Sequence, residues 1–520
     1  MTDILIGRNE HIDVSLEPRY GNRHGMIAGA TGTGKSVSLM VLAEGFSKLG
    51  VPCFLADAKG DLAGLALAAG EPGDKLKARL ARLGLADWKP QANPVIFWDL
   101  YGKLGHPVRA TVSEMGPALL GRVLELNDTQ QGVLEIVFKL ADDNGWLLLD
   151  LDDLRALLAF AADNSKDISA HYGLIAKTSL AAVQRALLQL EQDGGAQFFG
   201  EPALELADLM RQDMSGRGVI NVLAADQLIL KPRLYSTFLL WLLSELFEQL
   251  PEVGDLEQPK LVFFFDEAHL LFKDASKAFL SAITQTVRLI RSKGVGVFFV
   301  TQTPKDVPSD VLAQLGSRVQ HALRAFTPDD AKSLRATVGT YPKSGYDLER
   351  VLQELGTGEA IVTVMSEKGA PTPVAWTRLR APQGLMSPTP DPQIVAAVNA
   401  SPLLAKYGTP IDRESAREIL TAKMNAAEQA AAAEQAALDK AKADAELAKQ
   451  QAAADKAKAA ADKKAQAEYD RLMKKTAGTT RTTRTTRAAA KSPIEQVLNS
   501  KTTQTILSGV IRGIFGNGRR

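Results

Sequence analysis

Residues 25–38, GMIAGATGTGKSVS, constrain the fold more than any other stretch of this chain. An apolar run leads into Gly29, four residues follow, and Gly34, Lys35 and Ser36 then open a pattern of helical spacing. Glycines here let backbone N–H groups turn inward, and a helix N-terminus adds the positive end of its dipole. The stretch Gly29, Ala30, Thr31, Gly32, Thr33, Gly34, Lys35 and Ser36 therefore reads as a phosphate-binding loop. Lys35 would reach the β and γ phosphates of ATP, and the Ser36 hydroxyl suits Mg²⁺, a cation that takes few protein oxygens. Such a loop needs a strand before it and a helix after it.

Further runs of the same texture recur: CFLAD at 53, PVIFWDL at 94, GVINVLAAD at 218, LVFFFDEAH at 261, GVGVFFVTQ at 294 and AIVTVM at 360. Continuous apolar runs are what strands covered on both faces look like, and helical patterns separate many of them. The expected fold class is α/β, a mostly parallel sheet with helices on both faces. Residues 105–215 have helical periodicity instead, with VLEIVFKLADDNG and SLAAVQRALLQLEQDGG each closed by glycine. They read as a helical subdomain inserted between two parts of the sheet domain, 1–104 and 216–380.

Proline-rich APQGLMSPTPDPQ then marks the end of the globular part, with 381–412 as linker and short helix. Residues 413–475 are dominated by Ala with interspersed Lys, Glu, Asp and Gln, which favours helix by propensity and by charge pairs one turn apart. Leu438 and Leu447 are too sparse for a strong coiled-coil seam, so this arm reads as a solvated helix, partly disordered, or as one half of a partner-bound coiled coil. Residues 476–520 read as a basic linker and an amphipathic helix; from Lys474 onward the basic residues face a single acid, Glu495.

Lys plus Arg total 61 and Asp plus Glu 60, so the whole-chain charge points to no nucleic acid or membrane partner. Cys53, the one cysteine, excludes an intramolecular disulfide framework and fits a reducing compartment. The first residues carry no secretory pattern, and FLLWLLSELF at 238–247 is too short to span a bilayer, so a cytoplasmic protein without an integral membrane segment is expected.

Two more strand ends carry chemistry. LVFFFDEAH delivers Asp266 and Glu267 where ligands of parallel sheets bind; Asp266 suits the Mg²⁺ shell and Glu267 suits a base that polarises water. VFFVTQTP ends in Gln302, an amide that can hold the water or the γ-phosphate if its strand neighbours the loop. Asp57, in LADAKGD, reads as an indirect Mg²⁺ contact, a contact to a neighbouring subunit, or a turn residue. His171 and His269 are isolated histidines that read as packing or local hydrogen bonding rather than as ligands.

GATGTGKS, FFFDEAHLLF and RLIRSKGVGVFFVTQTP together resemble the HerA/FtsK group of P-loop ATPases, most closely its HerA-like helicase branch, over about residues 20–380. The helical insertion and Ala/Lys-rich tail resemble the YjgR-type proteins of that branch. The resemblance implies a RecA-like core in a homohexameric ring, ATP between neighbouring subunits, and duplex DNA threaded through the channel. It also implies nucleotide binding by Lys35 and Ser36, a Walker B pair in Asp266 and Glu267, a sensor in Gln302, and in Arg291 an arginine that acts on a neighbour's ATP. Arg288, Arg318, Arg324 and Arg23 compete for that last role. HerA proteins carry an N-terminal β-barrel that docks a nuclease; the loop here begins at residue 29, so no nuclease partner is expected. Three functions remain open: a DNA translocase, an ATP-dependent assembly protein, and a polypeptide-transport ATPase.

Overall fold

The computed structural model describes residues 3–10, 12–254, 256–272 and 277–474. It divides into two compact units, residues 1–427 and 428–520. The basic linker and terminal helix expected at 476–520 lie outside the described residues.

Unit one is built on a single twelve-stranded sheet. In chain order its strands are β1 (Ile4–Asn9), β2 (Ile12–Leu16), β3 (Gly25–Ala28), β4 (Cys53–Asp57), β5 (Val95–Asp99), β6 (His106–Pro107), β7 (Ile220–Ala224), β8 (Leu261–Phe265), β9 (Val295–Thr301), β10 (Ser317–Gln320), β11 (Glu359–Thr363) and β12 (Ala375–Leu379). Their spatial order is β2-β1-β12-β11-β10-β3-β9-β8-β4-β7-β5-β6. From β10 to β6 every pairing is parallel, whereas β11, β12, β1 and β2 extend the sheet antiparallel. Long apolar runs predict the parallel centre because those strands are buried on both sides. In β8, Val262 and Phe264 pack with Phe46, Phe298 and Val300 on one face, while Phe263 and Phe265 meet Phe54 and Phe299 on the other.

Helix α1 (Lys35–Lys48) covers the first face with Leu39, Leu42, Ala43 and Phe46. Helix Pro232–Gln249 covers the second, where Phe238 and Trp241 meet Phe198. That helix contains FLLWLLSELF, so the longest apolar run is core. Among the described residues no helix is long and apolar enough to cross a membrane.

Between β6 and β7 the chain forms helices Val112–Val123, Asp128–Asn144, Leu151–Asp163, Ser165–Tyr172 and Lys177–Leu190. Thr111 with Glu114, Asn127 with Gln130 and Asp150 with Asp153 each form a capping box, so three of the starts are written locally. Gly145, in the left-handed conformation, ends Asp128–Asn144. The second glycine signal differs: Gly194 and Gly195 lie inside a π-turn, Glu191–Gly195, which runs on into Ala196–Phe198.

The Pro-rich segment lies on the core. Buried Glu44 accepts from the N–H groups of Gln383 and Gly384, and Thr389 donates to Ala63 O at 2.7 Å. Ile394 joins the main core cluster, and Leu403 and Tyr407 are buried beyond it. Helix Ala416–Lys474 begins against the inserted helices, with Ala416 N–H donating to Leu147 O at 2.9 Å, Leu420 buried and Lys423 4.6 Å above the Trp146 ring. In unit two its large side chains, Leu438, Leu447, Tyr469 and Leu472, are exposed.

These contacts place the end of the folded core near residue 427. A chain ending at Ala427 is expected to melt within a few degrees of the full protein. A chain ending at residue 394 loses Leu403, Tyr407 and Leu420, each worth ~1.5–3 kcal/mol of burial, and is expected to melt far lower. Thermal unfolding of the two truncations checks this; equal melting would show that residues 395–427 are dispensable.

Candidate nucleotide site at the carboxyl edge of the sheet

The loop 29–34 joins β3 to α1. Gly29 N–H donates to Thr301 O at 3.2 Å and Ala30 N–H to Ala322 O at 2.8 Å, which tie the loop to β9 and to the segment after β10. A Cβ on Gly29 would stand 2.5 Å from the Cβ of His321, so only glycine fits. Gly34 starts α1 at φ 110°, a left-handed value that favours glycine. It has no side chain to cap the helix, and the first-turn N–H groups of a helix lack partners within it. Lys35 is buried, its Nζ 3.3 Å from Ala30 O, and burial lowers its pKa below the usual lysine value. Thr33 is buried, Ser36 half-buried, and Thr31 and Gly32 exposed.

The second strand over from β3 supplies the acids. β9 lies between β3 and β8, and the parallel register pairs Ala28 with Thr301 and Phe265 with Phe299. Asp266 and Glu267 therefore leave β8 at the edge where the loop leaves β3. Both are buried, at 3% and 5% exposure. Burial first, then the charge of Glu267, pushes the Asp266 carboxyl up to about 6. Burial acts the same way on Glu267, but Lys59, His269 and Lys35 outweigh it and hold that carboxyl below the usual range. Lys59 Nζ pairs with Glu267 Oε1, and His269 Nδ1 lies 3.2 Å from Oε2. Glu267 itself sits at φ 47°, a left-handed value uncommon for a side chain of its size.

Asp57 ends β4, the strand beside β8. Its carboxylate accepts from the backbone N–H groups of Lys59 at 3.2 Å, Gly60 at 2.8 Å, Leu62 at 2.9 Å and Ala63 at 3.2 Å. Of the three readings open from the sequence, this is the turn residue. Burial and the nearby Asp266 push its carboxyl up to about 6 in spite of those amides.

Gln302 follows the last residue of β9 and is exposed, one step from the loop's anchor at Thr301. Arg291 is not brought to this edge. It lies in the turn Arg291–Lys293 before β9, and the seven residues of that strand, at about 3.3 Å each, separate it from the loop of its own chain by roughly 20 Å. There Arg291 is exposed beside Arg288, Asn22 and Glu252.

Two residues at the site escaped sequence reasoning. His321, after β10, is wholly buried against the loop; its Nε2 lies 2.8 Å from Ser38 Oγ, and burial holds its pKa down at about 4. Its strand, SRVQ, has no apolar run to announce it, because Gln320 is buried by bonding its amide to Ala28 O and His321 O. Lys59 carried one faint signal, a lysine two residues after a strand-end aspartate.

Hard oxygen donors fit Mg²⁺, and Ser36, in the first turn of α1, and Asp266, just past β8, supply a hydroxyl and a buried carboxylate at the same edge of the sheet. The loop fits a polyphosphate, since among the described residues Lys35 has only the loop's own Ala30 carbonyl as its hydrogen-bond acceptor.

Known proteins bear on this arrangement. The probable helicase MJECL08 of Methanocaldococcus jannaschii is 34% identical over 119 residues, which are 22% of this chain and 21% of that protein. The chain thus matches about a fifth of that relative's length. A solved structure of the bacterial conjugative coupling protein TrwB aligns over 75% of this chain and 91% of its own, with 16% identity and a TM-score of 0.50. VirB4 of Thermoanaerobacter pseudethanolicus aligns over 73% and 97%, with 15% identity and a TM-score of 0.45. The likeness to TrwB is one of fold. The family described as helicase HerA-like C-terminal matches residues 3–520, almost the entire sequence, and the chain belongs to that family.

Proposed function

We propose that this protein binds and hydrolyses ATP and that the hydrolysis drives a ring-forming DNA translocase or helicase. The observation that carries the reading is the convergence of Lys35, Asp266 and Glu267 on one sheet edge from β3 and β8, with β9 and Gln302 between them. Loop amides and Lys35 hold the β and γ phosphates. Ser36 and Asp266 would hold Mg²⁺, which would neutralise charge on the phosphates. Glu267 accepts a proton from water turned toward the γ-phosphate, and Gln302 steadies that water. Family membership and the helicase named among its relatives support DNA as the polymer.

Arg291 stands too far from its own loop to act there, so a role for it requires a neighbouring subunit. Arg291→Ala is expected to bind ATP normally and to lose at least about ten-fold in turnover. Mixing it with Lys35→Ala protein should restore part of the activity, because mixed interfaces then pair an intact loop with an intact arginine. No recovery on mixing would remove Arg291 from that role.

The deciding experiment measures phosphate release with and without duplex DNA over a salt series, alongside particle mass with a nonhydrolysable analogue. A motor should be stimulated by DNA, less so as salt screens phosphate contacts. The exposed helix of residues 428–474 favours a second reading, an ATP-dependent assembly protein that recruits partners through it. That reading predicts nucleotide-dependent particle mass with turnover indifferent to DNA.

A further inference from the structure

We propose that Lys59 is a positioning residue for ATP hydrolysis: its ammonium takes one oxygen of Glu267 and leaves the other free to accept from water. The inference rests on the reading of Glu267 as the group that activates water. Three observations support it.

The turn that carries Lys59 is fixed. Four amides of residues 59–63 converge on the Asp57 carboxylate, itself buried at the end of β4, so the backbone that presents Lys59 is anchored to the strand beside β8. The pair is also unequal. The Lys59 side chain is 46% exposed and that of Glu267 7%, so the lysine reaches inward from solvent to a carboxylate that the fold has already buried beside Asp266. An exposed ion pair contributes little, but a buried carboxylate depends for its orientation on the cation bonded to it. Finally, the two oxygens of Glu267 are used differently. Oε1 is taken by Lys59, whereas Oε2 is buried and, among the described residues, has no hydrogen-bond partner, His269 Nδ1 lying 3.2 Å away without hydrogen-bond geometry. A base oriented through one atom, with its other atom unbonded, is the arrangement that nucleophile activation requires. The left-handed backbone of Glu267 adds to the case, since such strain persists where surroundings over-determine a residue.

Without Lys59 the carboxylate can rotate away, and a displacement of about 1 Å in a reacting group costs roughly 100-fold in rate. The test uses the full chain with Lys59→Met and Lys59→Arg, assayed for ATP turnover and for affinity toward a nonhydrolysable ATP analogue, with Glu267→Gln as reference. Lys59→Met is expected to lower kcat by about 10- to 100-fold while KM and analogue affinity stay within about two-fold; Lys59→Arg should recover most of the rate. Added to Glu267→Gln, the Lys59→Met change should cost little more, because the two act as one unit. A merely structural lysine would move melting temperature or affinity along with kcat, and that result overturns the proposal. Unchanged or faster turnover in Lys59→Met overturns it too, marking the pair as idle or as a brake. Failure of the underlying reading is a separate outcome: Glu267→Gln would then hydrolyse ATP like the parent, whatever the Lys59 variants do.

Discussion

Lys35→Ala is expected to abolish nucleotide binding, with affinity for ATP falling by at least about 100-fold, which corresponds to roughly 3 kcal/mol. The magnitude follows from what the ammonium does in the loop. It is buried at 7% exposure, held over the residues 29–34 by Ala30 O, and within range of Asp266 and Glu267 across β9. Charge-assisted hydrogen bonds to phosphate contribute about 1.5–3 kcal/mol each, and Lys35 would make two. Stability should not suffer in proportion, because burial disfavours the charged form and alanine removes that cost. Titration with a fluorescent ATP analogue, paired with a melting curve, checks both statements. A folded Lys35→Ala protein that binds as the parent does would refute the assignment of the loop.

Glu267→Gln is expected to separate binding from chemistry, with analogue affinity retained and turnover down by about 10²- to 10⁴-fold. Glutamine keeps the shape of the side chain and cannot take a proton. It also removes the negative charge that helps to push the Asp266 carboxyl up to about 6, so the Mg²⁺ ligand should, if anything, ionise more readily. Loss of the charge leaves Lys59 without its partner, but that lysine is half in solvent and the cost to folding should be small. Phosphate release and analogue affinity, measured on the same preparation, test the claim. Parent-like turnover would take Glu267 out of the mechanism while leaving the loop assignment intact.

Much of this site was legible before any coordinates, and the reasons are local. A loop whose work is done by its own backbone N–H groups must write its glycines and its lysine consecutively, so GATGTGKS is readable as a string. Strands buried on both faces must be apolar throughout, which exposes β3, β4, β5, β7, β8, β9 and β11 as runs and places Asp266, Glu267 and Gln302 at their ends. The other strands hide for the converse reason. β1, β2 and β12 mix polar with apolar residues, β6 is two residues long, and β10 buries a glutamine whose amide donates to Ala28 O of the neighbouring strand and to His321 O. Proline-rich composition reads as linker, yet residues 383–394 are held by the core and by Glu44 and Ala63, partners more than 300 residues away.

What the sequence determined by itself, then, is the family and the α/β core, and it singled out the candidate phosphate loop and acidic pair, because each is a contiguous pattern whose chemistry is contained in a few neighbouring residues. Only the tertiary structure decided that β9 stands between loop and acids, that Asp57 organises a turn, that Lys59 takes one oxygen of Glu267, and that His321 presses on Gly29. Those facts depend on strand order and on side chains meeting from segments remote along the chain. Burial and partner choice are properties of the assembled sheet, and no stretch of residues read alone contains them.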